Sequence, residues 1–207
     1  MYIIGITGGV GAGKSTILDY LREQYDAYTV QADLTAHELM EPEGSCYEPV
    51  LNLLGREILD EQGKIDRKRT AGLVFPCPDL LKQLNQIVHP AVKREIRRRI
   101  ATQEAAGRDV FVIEAALLLE DHYDEICEDM WYIHVEEAVR RQRLQQQRGY
   151  SDEKITDILN NQLSDAVFRE KCSYTVENNG DFQTACQQID ERIKEYGFMQ
   201  HCQRQQR

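Results

Sequence analysis

Tyr2-Ile3-Ile4-Gly5-Ile6-Thr7-Gly8-Gly9-Val10-Gly11-Ala12-Gly13-Lys14-Ser15-Thr16 is the stretch whose reading decides the fold. Residues 2–6 are β-rich, run straight into a glycine cluster, and give way to a helical pattern. That is strand, loop, helix. Gly8 to Ser15 fits G-x-x-x-x-G-K-[ST] in full, with Gly9, Val10, Gly11, Ala12 and Gly13 as the turning residues. Backbone N–H groups surround a phosphate only if the chain curls tightly, which needs glycines at positive φ. In this pattern Lys14 neutralises the β- and γ-phosphates, Ser15 offers a hydroxyl to Mg²⁺, and the helix from Thr16 onward aims its positive end at the anion. A chance glycine turn would not sit between a strand and a helix, so the motif is read as a nucleotide site.

Further strands follow the same rhythm. Val110-Phe111-Val112-Ile113 and Met130-Trp131-Tyr132-Ile133-His134-Val135 read as buried parallel strands, each followed by helix-like sequence. Thr29-Val30 ends another, and Tyr174-Thr175-Val176 is a shorter one before the turn Asn178-Asn179-Gly180. Strands alternating with helices imply an open α/β sheet with right-handed crossovers. The stretch from about 34 to 106 breaks the rhythm, with helical patterns punctuated by proline and glycine and no convincing strand. It is expected to be a helical insertion between the second and third strands.

Composition bounds the rest. The chain has 207 residues, 42% hydrophobic and 29% charged, with 35 acidic against 25 basic residues and a net charge of −10. This suits one globular unit, or a core with a smaller subdomain. The acidic balance argues against non-specific nucleic-acid binding, which needs net positive charge to displace counterions, yet leaves small anions as ligands. Neither a secretion signal nor a membrane span is read, so the cytoplasm is the expected compartment. The six cysteines show no C-x-x-C pair and are expected to be idle thiols rather than a disulfide framework. The glutamine-rich end, Gln200 to Arg207, is expected to be a frayed tail. Sequence does not specify an oligomeric state, and a monomer is the default.

A phosphate loop alone does not separate kinases from other nucleotide hydrolases. Asp60-Glu61-Gln62-Gly63 matches a GTPase switch but lies in the insertion, and no N-K-x-D guanine motif occurs. Glu114 ends an apolar strand, where a second carboxylate would meet the magnesium's water shell; it could equally cap a helix or sit in a solvated loop. Asp33 follows the strand end at Val30, on the side of the sheet where ligands bind. It is a candidate to take a proton from an acceptor hydroxyl, and also a candidate helix N-cap. Arg140, Arg141, Arg143 and Arg148 lie on one helix and its exit, and Arg143 and Arg148 are the candidates to close on a transferring phosphate. Lys93, Arg94, Arg97, Arg98 and Arg99 spread around more than one helix face, which is the pattern of a solvated surface. His89, before Pro90, could cap a helix or reach an anionic acceptor.

Assembled in order, these residues resemble the dephospho-CoA kinase family, with the match running from residue 2 to about 190. Beyond the phosphate loop it rests on Ala32-Asp33 with Glu41-Pro42, Gly55, Gly63-x-x-Asp66-Arg67, Phe75, His89-Pro90, Leu117-Leu118-Leu119-Glu120, Gln162 and Asn178-Asn179-Gly180. The resemblance implies a P-loop NTPase/nucleoside-kinase-like α/β fold of three layers, with a parallel five-stranded sheet, a helical lid and a helical substrate-binding insertion. It implies one domain over 1–207: a core at about 1–33, 107–139 and 170–200, a CoA-binding insertion at about 34–106, and a lid at about 140–169. The reaction implied is transfer of the ATP γ-phosphate to the ribose 3′-hydroxyl of dephospho-CoA, with Mg²⁺. Asp33 then matches the base, Lys14, Arg143 and Arg148 the phosphate-stabilising cations, Thr7, Arg67 and His89 further substrate contacts, and Ser15 and Glu114 the metal side. Four positions depart from the pattern: Gln31 for the first aspartate of D-x-D, Ala116 for a proline, an Arg143–Arg148 pair one residue wider than usual, and Phe168 where a basic residue is common. A kinase of another small acceptor, such as a nucleoside monophosphate, is the rival enzyme; a nucleotide sensor without chemistry is the rival outside catalysis.

Overall fold

Val110–Glu114 is buried at every residue, the pattern of a central strand covered on both faces. The computed structural model describes residues 1–198; the glutamine-rich tail from Gln200 and Cys202 lie outside the described residues. In chain order the first elements are β1 (Tyr2–Thr7), α1 (Lys14–Tyr25), β2 (Tyr28–Gln31), α2 (Ala32–Leu39), α3 (Tyr47–Leu54), α4 (Arg67–Val74) and α5 (Pro78–Ala105). They continue as β3 (Val110–Glu114), β4 (Asp129–His134), α6 (Glu137–Arg148), α7 (Asp152–Asn160), α8 (Asp165–Lys171), β5 (Tyr174–Glu177) and α9 (Phe182–Glu195). The chain forms two compact units: Met1–Thr29 joined with the segment from Gln103 onward, and Val30–Thr102.

The first unit is built on the sheet, ordered β2-β3-β1-β4-β5. β1 lies parallel to β3, with Ile4 opposite Val112 and Ile6 opposite Glu114, and parallel to β4, with Ile6 opposite Trp131. β4 lies parallel to β5. Because side chains alternate across a strand, Ile4, Ile6, Val110, Val112, Trp131, Ile133 and Val176 point to one face. There they form a single core with Ile17, Leu18 and Leu21 of α1 and Ala185, Ile189 and Ile193 of α9. Phe111, Ile113 and Tyr132 point the other way and are also buried, with Tyr132 stacked on Phe168 of α8 at 4.7 Å between centroids. Phe168 therefore serves the core. Its neighbour Arg169 pairs with Asp165 and Glu177, so it does not stand in for the missing base at 168.

One expectation fails in this unit: no α-helix follows β3. Residues 115–128 carry only a 3-10 turn at Tyr123–Glu125. Leu118 and Leu119 are buried there, but His122 adopts φ +51, a left-handed conformation that interrupts a helix.

The second unit is helical, with an isolated antiparallel bridge between Leu59 and Ile65. The Asp60–Gly63 segment is the turn of that bridge, its Asp60 carboxylate accepting from the amides of Gln62 (2.8 Å) and Lys64 (2.9 Å). Asp66 then caps α4 by accepting from the Arg69 amide at 2.9 Å. α5 runs unbroken through Pro90, so His89 does not cap a helix but lies in the middle of one. Proline there removes a backbone donor at a cost of about 3 kcal/mol; the buried stripe Val88, Ala91, Val92 and Ile96 holds the helix together across it. The basic residues beyond are largely surface: Arg98 and Arg99 both pair with Glu95, and Arg99 also with Glu38.

Candidate active site

The loop between β1 and α1 is closed from several sides. Gly13 adopts φ +84, and a Cβ on it would lie 2.7 Å from Nδ2 of Asn178; a Cβ on Gly9 would overlap the guanidinium of Arg140. Gly13 therefore requires glycine for its conformation, while a side chain at Gly9 would have to displace the Arg140 guanidinium. Gly13 is the N-cap of α1, whose first turn holds no acidic residue. The first amides of a helix have no intrahelical partner, and the dipole favours an anion beside them. The sequence thus builds an anion site from backbone alone.

Lys14 enters from the first residue of α1. Its Nζ donates to the Gly8 carbonyl at 2.7 Å and lies 3.5 Å from Oε1 of Glu114. Glu114 is buried and stands beside the loop because it opposes Ile6, two residues before Gly8. This rules out the helix-cap and solvated-loop readings of Glu114. Ser15 and Thr16 are exposed on the open side of α1, while Ile17 and Leu18 turn into the core. Thr7, at the end of β1, is fully buried, and its hydroxyl finds no hydrogen-bond partner among the described residues.

The arginine helix α6 meets the loop through Arg140, which the sequence showed among four arginines but did not single out. Arg140 Nε donates to the Val10 carbonyl at 3.0 Å, and its Nη2 donates to Oε1 of Gln162. Burial lowers its pKa. Arg143, half-buried one turn further on, donates to the Asn178 carbonyl at 2.8 Å. Asn178 in turn donates from Nδ2 to the Ala12 carbonyl at 2.8 Å and from its amide to the His134 carbonyl at 2.9 Å. Arg148 is not brought to the loop; it is exposed at the end of α6, paired with the Tyr150 hydroxyl. The three-residue spacing of Arg140 and Arg143 places them on one helical face, and that spacing was the available signal for Arg140.

The second unit carries the remaining candidates. Asp33 is exposed in the first turn of α2, whose N-cap is Gln31 rather than Asp33, so the capping alternative does not hold. Arg67 is exposed at the first residue of α4. His37, four residues after Asp33 on α2, feels both of their charges. Burial and the Arg67 guanidinium push its pKa down, while Asp33 pulls it up. Its Nδ1 is buried with no hydrogen-bond partner among the described residues. The i, i+4 spacing of Asp33 and His37 was legible in the sequence, and went unread. His89 is half-buried within α5.

A parallel sheet ordered 2-3-1-4-5, a glycine loop with its lysine, and an arginine helix lying on that loop define a P-loop kinase. The comparisons narrow this further. A family model described as dephospho-CoA kinase matches residues 2–184, and the chain belongs to that family. A dephospho-CoA kinase of Corynebacterium diphtheriae is 36% identical over 180 residues, covering 87% of this chain and 90% of the relative. One of Streptococcus mutans is 31% identical, covering 93% and 96%. Among solved structures, TT1252 from Thermus thermophilus superposes with a TM-score of 0.77 at 26% identity, over 94% of this chain and 97% of that one. A shikimate kinase from Bacteroides thetaiotaomicron, 14% identical with a TM-score of 0.53 and covering 94% and 97%, shares the fold. Among the described residues no helix is long and apolar enough to cross a membrane. The described cysteines are free thiols, with Cys127 and Cys172 both pushed up to about 12 by burial.

Proposed function

We propose that this chain transfers the γ-phosphoryl group of ATP to the ribose 3′-hydroxyl of dephospho-CoA, giving coenzyme A and ADP. The observation that carries the reading is family membership over residues 2–184 in a chain whose phosphate loop, Lys14 and Asp33 are intact. The loop from Gly9 to Thr16 holds the ATP phosphates through its amides. Lys14 stabilises the charge that spreads over the γ-phosphate during transfer, and Arg143, linked to the loop through Asn178, is the lid cation to share that role, since Arg140 is engaged on the Val10 carbonyl. Arg148 joins it only if the end of α6 moves toward the loop.

Asp33 is the base. It takes the proton of the 3′-hydroxyl as that oxygen attacks the γ-phosphorus and the bond to the ADP oxygen breaks. Its place directly after the carboxyl end of β2 supports this, because ligands of open parallel sheets gather at those ends. Arg67 offers charge for the acceptor's phosphates, His89 lies further along the same helical unit, and the buried Thr7 hydroxyl is left for a substrate atom. The domain layout follows: a core, a helical segment at about 34–106 for the acceptor, and a lid at about 140–169.

Mg²⁺ fits the donors present. Ser15 and Glu114 supply hard oxygens, one a hydroxyl and one a carboxylate, and magnesium is held by one or two such groups together with substrate phosphates. When bound it would screen the β- and γ-phosphate charges. An acceptor panel tests the assignment: dephospho-CoA, nucleoside monophosphates and small alcohols, each with ATP and Mg²⁺, read by ADP release and by the mass of the product. Dephospho-CoA is expected to be turned over and to gain one phosphate at the ribose 3′ position. Turnover of a nucleoside monophosphate with none of dephospho-CoA would sink the assignment.

A further inference from the structure

A loop that turns its amides inward to an anion turns its carbonyls outward, and each carbonyl then needs a donor from behind. In this chain those donors can be named. The Gly8 carbonyl accepts from Lys14 Nζ, Gly9 from the Ala12 amide, Val10 from Arg140 Nε, and Ala12 from Asn178 Nδ2. Two of the four are local to the loop. The other two come from far along the chain, and they differ in what stands behind them. Asn178 is buried and anchored to β4 through its amide. Arg140 is instead held on its far side by Gln162, in the turn after α7. Its guanidinium also lies so close to Gly9 that a Cβ there would overlap it.

We propose that Arg140 is a positioning residue for nucleotide capture: it holds the curvature of the phosphate loop at Val10, using Gln162 of the returning lid arm as its second anchor. The proposal rests on the loop being the nucleotide site, and does not depend on which acceptor is phosphorylated. Its Nε and Nη2 donate to protein oxygens, so its work is on the shape of the loop rather than on the reacting atoms. The pair Arg140–Gln162 makes loop shape depend on the position of the lid arm. A chain with the arm displaced would lose the donor at Val10 and, with it, part of its affinity for phosphate.

The test is direct titration of ATP and ADP without acceptor, followed by steady-state kinetics, on Arg140→Met, Arg140→Lys, Gln162→Ala and the Arg140→Met/Gln162→Ala pair. Arg140→Met keeps the length of the side chain and removes its donors; it is expected to weaken ATP about tenfold, the effect of losing one charged hydrogen bond. The change should fall on the KM for ATP more than on kcat. Arg140→Lys should restore part of the affinity, since one ammonium reaches one of the two partners. Gln162→Ala should weaken ATP by a smaller factor, and the double variant should match Arg140→Met alone, because the glutamine acts through the arginine. Independent, multiplying losses would overturn the proposal, as would ATP affinity in Arg140→Met equal to that of the parent. If Arg140→Met does not fold, parent-like ATP affinity in Gln162→Ala overturns it alone. An acceptor panel that fails for dephospho-CoA leaves these titrations unchanged, so the two failures are distinguishable.

Discussion

The sheet unit and the helical unit encode function in different ways. In the sheet unit the site is a backbone shape: the chain from Gly8 to Ser15 carries its own conformational rules, and Lys14 returns to the Gly8 carbonyl within the same loop. In the helical unit nothing so local exists. Asp33 and Arg67 lie on different helices, and what relates them is the half-buried His37, whose charge state answers to both. Backbone sites are therefore readable from a short motif, whereas sites made of side chains on separate helices require the fold.

That contrast is open to test, starting with the largest effect. Lys14→Ala removes a cation held at both Gly8 and Glu114. It is expected to lower kcat by on the order of a thousandfold, as when a principal transition-state charge is deleted, and to weaken ATP in direct titration. It also removes the ammonium that lies 3.5 Å from the buried Glu114 carboxylate. Unchanged ATP affinity and rate in this variant would remove the sheet unit from the chemistry and break the comparison at its root.

Asp33→Asn probes the other half. The amide keeps the size of the carboxylate and cannot take a proton, so kcat should fall roughly a hundredfold while ATP binds as in the parent. The split between rate and affinity is the informative part. A matching loss of ATP affinity would show that the two units do not divide the work in this way, and a full rate would place the base elsewhere.

The particular residues show why one half was legible and the other was not. Strand positions followed from β-rich runs: those read at 2–6, 29–30, 110–113 and 174–176 lie in the sheet, and that at 130–135 does so up to His134, Val135 falling just past the end of β4. The loop residues Gly9 to Ser15 fell where the motif put them. Glu114 was singled out because it ends an apolar strand, and its burial beside the loop removes the cap and solvated-loop alternatives that the sequence left open. Arg140 was passed over because four arginines on one helix cannot be ranked without knowing which face meets the loop. The cap alternative for His89 fails although proline usually ends a helix, and only the burial of Val88, Ala91, Val92 and Ile96 reveals that packing outweighs the lost hydrogen bond. The expected helix after β3 failed for a similar reason: the leucines at 118 and 119 look helical, but they are buried from a turn that the backbone at His122 has already broken.

The smallest effect separates stability in the helical unit from nucleotide binding in the other. Glu95 accepts from Nε and Nη2 of Arg98 and from Nε of Arg99, each at 2.8 Å. The Arg98 hydrogen bonds, followed by those of Arg99, hold its carboxyl down at about 2 against an ordinary value of 4.5, with burial opposing them. A carboxyl depressed on folding binds its proton more readily when unfolded. Its contribution is therefore full above pH 4.5 and is lost as pH falls from there toward about 2. Glu95→Gln keeps an acceptor but removes the charge, and should cost about 1 kcal/mol at neutral pH, read by urea unfolding. Between pH 4.5 and 2 the gap between variant and parent should close, since the parent loses what the variant never had. ATP affinity at pH 7 should be that of the parent, because all three bonds of Glu95 lie within the helical unit. A variant whose deficit persisted unchanged at the acid end would mean that the arginines, and not the glutamate's charge, carry this part of the stability.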